Sequence, residues 1–187
     1  MNEFFYNLGW LIRFFELLII CFLILKFWKH RFSLFFGGKD SLKTIDDHEL
    51  HSCFLTALCT LLFYFIGVET SAYIMSLPME KFALRRVFYF SKLVIMASFM
   101  ATLYILHSIR GCLFSRVAKS IGYLSMFSVS LHMMQLVARG YFDFNGLSPL
   151  YQFSVMFINV MAFMVIAIYS VKLMIKTKFD SYKELVK

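Results

Sequence analysis

The sequence predicts an all-α fold, a polytopic transmembrane helical bundle of about five spans that forms a single integral membrane domain over residues 1–187. The chain is 60% hydrophobic and only 16% charged, whereas soluble domains typically carry about 25% charged residues. Its mean hydropathy is +0.73. It also contains five apolar runs near the length of about 20 residues that a helix needs to cross a bilayer. These runs cover residues 4–27, 53–75, 87–107, 118–138 and 150–174. We therefore expect the lipid bilayer to be the main partner of the chain.

The positions of the cations predict the orientation of these spans. Residues 26–43, 110–119 and 172–187 share one side of the predicted bundle and carry thirteen Lys and Arg, whereas the other side carries four. Such an excess marks the cytoplasmic side. We therefore expect a multi-pass protein of the bacterial inner membrane with its N-terminus outside and its C-terminus in the cytoplasm. The net charge of +8 does not indicate a nucleic-acid partner, because the cations form no single patch or stripe.

The first span carries two charged residues, Arg13 and Glu16, three positions apart. A helix places residues at this spacing on one face, which allows an ion pair within the helix. Two interpretations remain open. The pair either neutralises itself against neighbouring helices or lines a polar cavity.

Carboxylates and imidazoles cluster where the second span begins, and both are ligand types for metal ions. The same residues also suit a helix start, because acidic side chains cap the first turn and interact favourably with the helix dipole. We favour capping and expect no metal site here. The residues are Asp46, Asp47, His48, Glu49 and His51.

The second and third spans each contain one charged residue. Glu69 lies about two thirds along the second span, and Lys92 is close enough to the start of the third span for its side chain to extend towards the interface. His107 and Arg110 mark the opposite interface. Because His51 is predicted on the same side as His107, bis-histidine haem ligation is an open but disfavoured alternative.

Signatures of nucleotide-binding and hydrolytic enzymes are absent from the sequence. It contains no Walker loop, no GxGxxG, no GxSxG and no HExxH. We therefore expect no cofactor.

The fourth span contains the candidate site residue His132. It follows Gly122 by ten positions, which places the imidazole about 15 Å inside the span at 1.5 Å per residue. An ionisable side chain at this depth indicates a functional site. The alternative is a packed histidine held neutral by a hydrogen bond to a neighbouring helix.

The fourth span also carries a spaced pattern, with Gly122, Ser125 three positions later and His132 seven positions after that. This pattern resembles the G-x-x-S-x-x-x-x-x-x-H helix of the bacterial membrane acyltransferase family that includes O-antigen and fucose O-acetylase-like proteins. The resemblance covers about residues 88–178 and corresponds to the later half of that fold. Family members have about ten spans, and their catalytic histidine follows an arginine by about ten residues in an early helix, an arrangement that is missing here.

The resemblance implies acyl transfer to a glycan hydroxyl, with a glycan and an acyl donor as partners. A sugar hydroxyl is a weak nucleophile and needs a nearby base. The candidate catalytic residues are His132 and Ser125, with Arg13 or Glu69 as further lining residues. Because the early helices are missing, such an enzyme would be truncated or split, and a partner membrane chain would complete it.

A second hypothesis belongs to a different functional class. The scarcity of catalytic signatures also fits a small non-enzymatic membrane protein, such as a complex subunit, an immunity-type inhibitor or an effector that acts through helix contacts.

Overall fold

The computed structural model describes residues 3–26 and 42–185, and within them the side chains of residues 7–25, 42–172 and 175. The described residues form five long helices and no strands. The helices are α1 (Glu3–Lys26), α2 (Ile45–Met75), α3 (Lys81–Arg110), α4 (Arg116–Gln135) and α5 (Ser148–Leu185), and α4 continues into a π-helix over Leu136–Tyr141. All five are long and apolar enough to cross a membrane, which confirms the predicted fold class. Phe27, the last residue of the predicted first span, lies outside the described residues.

Local sequence explains several of the helix ends. Thr44 caps α2 through a capping box, in which the Asp47 backbone N–H donates to Thr44 Oγ1 at 3.1 Å and the Thr44 backbone N–H donates to the Asp47 carboxylate at 2.9 Å. The predicted capping role of this acidic cluster is thereby confirmed for Asp47. Gly111 ends α3 with a left-handed φ of 68°, a conformation that favours glycine.

Short connections make the neighbouring helices antiparallel. We call the end of the bundle that holds residues 111–115, where α2 begins, the loop-1 end. The opposite end, with residues 76–80 and 142–147, is the loop-2 end. Helix α2 packs most extensively against α3, α4 contacts both α3 and α5, and α1 contacts α2 and α5.

The hydrophobic core is concentrated in the half of the bundle nearest the loop-1 end. It combines the C-terminal part of α1, the N-terminal part of α2, the C-terminal part of α3, the N-terminal part of α4 and the middle of α5. Its most buried members include Leu23, Cys53, Phe54, Leu103, Ile121 and Ile166. In water, burial of apolar side chains is the main favourable contribution to the packing of helices. In lipid, the same burial stabilises the bundle through close van der Waals packing between helices.

Large apolar side chains are exposed on all five helices. Phe14 is 56% exposed, Tyr73 67%, Ile109 74%, Tyr123 73% and Phe153 65%. Apolar surface of this extent on every side indicates contact with lipid. The protein is therefore a multi-pass membrane protein, and its interior polar groups lie away from bulk water.

Candidate functional site

A polar stripe runs along the buried face of α4. Ser125, Ser128, His132 and Gln135 follow one another at helical spacings of three and four residues, so they share one face. Their exposed fractions are 6%, 3%, 4% and 0%. Four polar side chains in a row on the inward face of a membrane helix are costly to bury unless they are hydrogen-bonded or bind a polar ligand.

His132 lies at the centre of this stripe and contacts two hydroxyl groups. The hydroxyl oxygen of Tyr151, from α5, is 3.1 Å from His132 Nδ1, and Ser128 Oγ is 3.4 Å from Nε2. The ring of Tyr151 in turn packs edge-to-face against Tyr89 of α3, with centroids 5.8 Å apart. Tyr151 thus orients the imidazole, while the longer contact to Ser128 leaves Nε2 the more weakly bonded nitrogen.

Lys92 approaches the same site from α3. Its ammonium donates a hydrogen bond of 2.9 Å to the backbone oxygen of Gly67 in α2, and it lies 5.5 Å from the centroid of the Phe88 ring. It is also close enough to His132 to interact with it electrostatically. The sequence predicted that Lys92 extends towards the interface. The ammonium does approach the ring of Phe88, which lies one helical turn nearer that interface. Its hydrogen bond, however, is to the backbone of α2.

The helix carrying His132 changes its hydrogen-bonding pattern immediately after Gln135. Leu136–Tyr141 form a π-helix, a rare conformation that is frequent at functional sites. Arg86 of α3 donates a hydrogen bond of 2.7 Å to the backbone oxygen of Gly140, and its guanidinium lies 4.7 Å from the centroid of the Tyr141 ring. These contacts link the end of α4 to α3.

Among the residues that the structure describes, neither amide atom of Gln135, Oε1 or Nε2, has a hydrogen-bond partner, and both are buried. The whole residue is inaccessible, with an exposed fraction of 0%. An unpaired buried amide costs about 1–3 kcal/mol, so Gln135 marks a position where a ligand or an ordered water molecule would be stabilising.

We define the His132 cluster as Lys92, Ser128, His132, Gln135 and Tyr151. The structure brings together side chains from α3, α4 and α5 in the half of the bundle nearest the loop-2 end. Sequence reasoning found only His132 as a member of this site. Lys92 was predicted only as a charge near an interface, and no motif indicated Tyr151 or Gln135, although Gln135 follows His132 by three positions and therefore shares its helix face.

Ser125, the other predicted catalytic residue, lies on the same stripe but is not joined to His132. Its hydroxyl donates a hydrogen bond of 2.8 Å to the backbone oxygen of Ile121 within α4. The hydroxyl that contacts the imidazole belongs to Ser128 instead. Ser125 therefore lines the stripe about two turns from the imidazole.

Arg13 and Glu69, the two further candidates, lie apart from the His132 cluster. The guanidinium of Arg13 is 3.7 Å from the centroid of the Tyr64 ring and 4.7 Å from that of Trp10, an arrangement that stabilises a buried cation. Arg13 forms no ion pair within 4.0 Å with Glu16 among the described side chains. Arg13 and Glu16 are both buried, at 5% and 4% exposure, so both face the interior of the bundle as the sequence predicted. Glu69 is exposed on α2 and does not join the polar stripe of α4.

A second polar cluster at the loop-1 end was not predicted from the sequence. Ser52 Oγ lies 2.9 Å from His107 Nε2, and it also contacts the side-chain oxygen and the backbone N–H of Ser115, each at 2.9 Å. His107 Nδ1 is 2.8 Å from the backbone oxygen of Leu103 and must donate, because a carbonyl only accepts. For a neutral imidazole, Ser52 then donates to Nε2 and accepts from Ser115.

This network connects α2, α3 and the first turn of α4. Ser52 is 0% exposed and His107 1%, so these hydrogen bonds join the three helices inside the bundle. Both nitrogens of His107 are hydrogen-bonded, and His51 Nδ1 lies 2.7 Å from the backbone oxygen of Asp47. His107 therefore has no nitrogen available for the haem ligation considered above.

Metal-ligand geometry is not found within the part of the chain that the structure describes, since no group of three or more His, Cys, Asp or Glu side chains is placed to hold an ion.

Comparison of the chain with models of known protein families, with curated proteins and with solved structures found no match.

Proposed function

We propose that this chain is part of a split membrane O-acyltransferase that transfers an acyl group to glycan hydroxyls, with His132 as the general base. The observation that carries this proposal is the imidazole itself, which lies inside a membrane bundle with its Nδ1 3.1 Å from the hydroxyl of Tyr151. When Nδ1 donates to the Tyr151 oxygen, Nε2 has a free lone pair. A glycan hydroxyl that takes the place of the Ser128 hydroxyl at Nε2 would give its proton to this nitrogen while its oxygen attacks the carbonyl carbon of the acyl donor. The bond from the acyl group to the donor's leaving group then breaks, and the imidazolium returns the proton to that leaving group.

The proposed orientation places this site on the side where surface glycans are modified. Under the N-terminus-out, C-terminus-in topology that the cations predict, the loop-2 end faces the outside of a bacterial inner membrane. The His132 cluster is then in the outer half of the bilayer. Ser125 lines the same stripe deeper in the bundle, and a partner membrane chain supplies the early helices that acyltransferases of this type possess.

A non-enzymatic role is the second candidate, and one observation favours it. His132 is only 4% exposed, and the hydroxyl of Ser125 is used within its own helix. The imidazole of His132 and the hydroxyl of Ser125 therefore already have hydrogen-bond partners within the chain. A complex subunit, an immunity-type protein or an effector needs only this packed arrangement.

Gene deletion in the native host separates the two candidates, because any partner chain is then present. The deleted strain is complemented with the natural protein, with His132→Ala or with His107→Ala, at equal amounts in the membrane, and O-acyl groups on surface glycans are measured by mass spectrometry. We expect the natural protein and His107→Ala to restore an acyl group that His132→Ala does not. His107→Ala is the matched control, because it also removes a buried, hydrogen-bonded imidazole. Glycans that are identical with and without the gene would refute the enzyme and leave the non-enzymatic candidate.

A further inference from the structure

Two arginines meet at the loop-2 end of the bundle. Arg85 of α3 donates a hydrogen bond to Oδ1 of Asp143, and Nη1 of Arg139, from the π-helix that continues α4, lies 4.0 Å from the same oxygen atom. Two guanidinium groups therefore share one carboxylate, which neutralises only one of the two positive charges. The Nε of Arg139 is also buried and has no hydrogen-bond partner among the described residues. We call Arg85 and Arg139 the arginine pair.

The residues around the arginine pair carry an excess of cations. Residues 76–86 and 139–147 contain four cations and two carboxylates. Apart from the arginine pair and the carboxylate that it shares, these are Lys81, Arg86 and Glu80. The Nε of Arg86 donates to a backbone oxygen, and the exposed Glu80 side chain does not cap the first turn of α3. Because the N-terminal end of a helix is itself positive, an anion bound at this end of α3 would be stabilised.

Exposed aromatic rings indicate that the arginine pair lies at the membrane surface. Tyr141, Phe142 and Phe144 are 60%, 76% and 55% exposed. Aromatic side chains are enriched at the membrane–water interface, level with the lipid headgroups. Asp143, which both arginines approach, lies between two of these aromatic residues in the chain. The anion that a phospholipid presents at this depth is its phosphate.

We propose that the arginine pair binds the phosphate of an anionic membrane lipid at the loop-2 end. The side chains of Arg85 and Arg139 are 17% and 20% exposed, so a headgroup reaches them from the membrane surface. A planar guanidinium matches the oxygens of a phosphate, and the shared carboxylate of Asp143 holds both guanidinium groups near one point. Each arginine donates to one non-bridging oxygen of the phosphodiester. Neither arginine belongs to the His132 cluster, so this inference is independent of the proposed function.

Native mass spectrometry of the purified full-length chain in a neutral detergent tests this proposal. The affinity for the first bound lipid is measured with phosphatidylglycerol, and phosphatidylcholine of the same acyl chains is the control, because its headgroup carries a cation beside the phosphate. One basic residue near an anionic lipid contributes about 1 kcal/mol, so Arg139→Gln should weaken phosphatidylglycerol binding about fivefold. Phosphatidylcholine should bind more weakly than phosphatidylglycerol to the natural protein.

Matched variants separate the arginine pair from a general attraction between cations and anionic lipids. Arg116→Gln makes the same change at an exposed helix start at the loop-1 end and should bind phosphatidylglycerol like the natural protein. Arg139→Lys keeps the charge but loses the planar guanidinium, so it should also weaken binding, whereas Arg116→Lys should not. The two lysine variants carry the test if Arg139→Gln does not fold.

Inorganic phosphate identifies the source of the bound group. Ammonium phosphate that replaces ammonium acetate at constant ionic strength should leave phosphatidylglycerol bound, because the apolar chains of the lipid also contact the protein. Displacement of the lipid would show that free phosphate is the ligand and overturn the proposal. Equal binding of phosphatidylcholine, an equal loss in Arg116→Gln, or unchanged binding by a folded Arg139→Gln or Arg139→Lys would each overturn it as well.

Discussion

The buried Ser52 hydroxyl connects three helices at the loop-1 end, and its removal should lower the free energy of unfolding of the bundle. Ser52→Ala deletes contacts of 2.9 Å to His107 Nε2, to Ser115 Oγ and to the Ser115 backbone N–H. Hydrogen bonds in membrane proteins contribute about 0.6 kcal/mol on average and up to about 1.7 kcal/mol, so three lost contacts correspond to about 2–5 kcal/mol. Water cannot replace them, because Ser52 is fully buried.

Ser170→Ala is the matched control for this measurement. Ser170 is also buried, at 4% exposure, but its hydroxyl donates only to the Ile166 backbone oxygen of its own helix, at 3.1 Å. The same atom is thus removed without breaking a contact between helices. Reversible unfolding in detergent gives the free energy of unfolding of both variants. A difference between them below about 0.5 kcal/mol, the usual range for neutral substitutions, would refute the role of this network.

Two further predictions concern the opposite half of the molecule. Tyr151→Phe leaves His132 Nδ1 without its partner and should lower the free energy of unfolding by about 1 kcal/mol; an equal loss in Tyr123→Phe, a change on the lipid-facing surface, would contradict this. Asp143 accepts a hydrogen bond from Arg85, which holds the pKa of Asp143 below its ordinary value of 3.8. A carboxyl with a lowered pKa stabilises the folded state above that ordinary value and loses the effect as pH falls through the folded pKa. The melting temperature should therefore be higher for the natural protein than for Asp143→Asn at neutral pH, and the gap should close below about pH 4. A gap that persists into stronger acid would exclude this ion pair as its cause.

The number and type of helices could be predicted from the sequence because they depend on local properties. Apolar runs of bilayer length define the spans, and the acidic residues after Thr44 indicate where α2 begins. Each of these features is contained in a short segment, and each is independent of how the helices are arranged.

The membership of the two polar clusters depends on which helix faces meet, and a single sequence does not contain that information. Ser52 and His107 are 55 positions apart, and His132 and Tyr151 are 19 apart. Ser125 and His132, the two polar residues of the fourth-span pattern, both lie on the buried face of α4. The pattern could not show that Ser128 is the serine that contacts the imidazole.

Among the described side chains, Arg13 and Glu16 make no direct ion pair within 4.0 Å, and the packing of α1 explains why. Spacing along a helix makes such a pair sterically accessible, but the guanidinium instead lies over the ring of Tyr64 from α2. A flat cation that stacks on an aromatic face keeps its charge stabilised without leaving the bundle. The position of the Arg13 guanidinium therefore depends on an aromatic residue of the neighbouring helix, and not only on its spacing from Glu16.

The location of both polar clusters inside a bilayer depends on five membrane crossings, and reporter fusions measure this directly. Reporters fused after Met79, Asn145 and Lys187, and one after Lys43, should show residues 43 and 187 on the cytoplasmic side and residues 79 and 145 on the other. Residues 43 and 187 on opposite sides of the membrane would contradict five crossings, and with them the burial of His132 and Lys92 in the bundle.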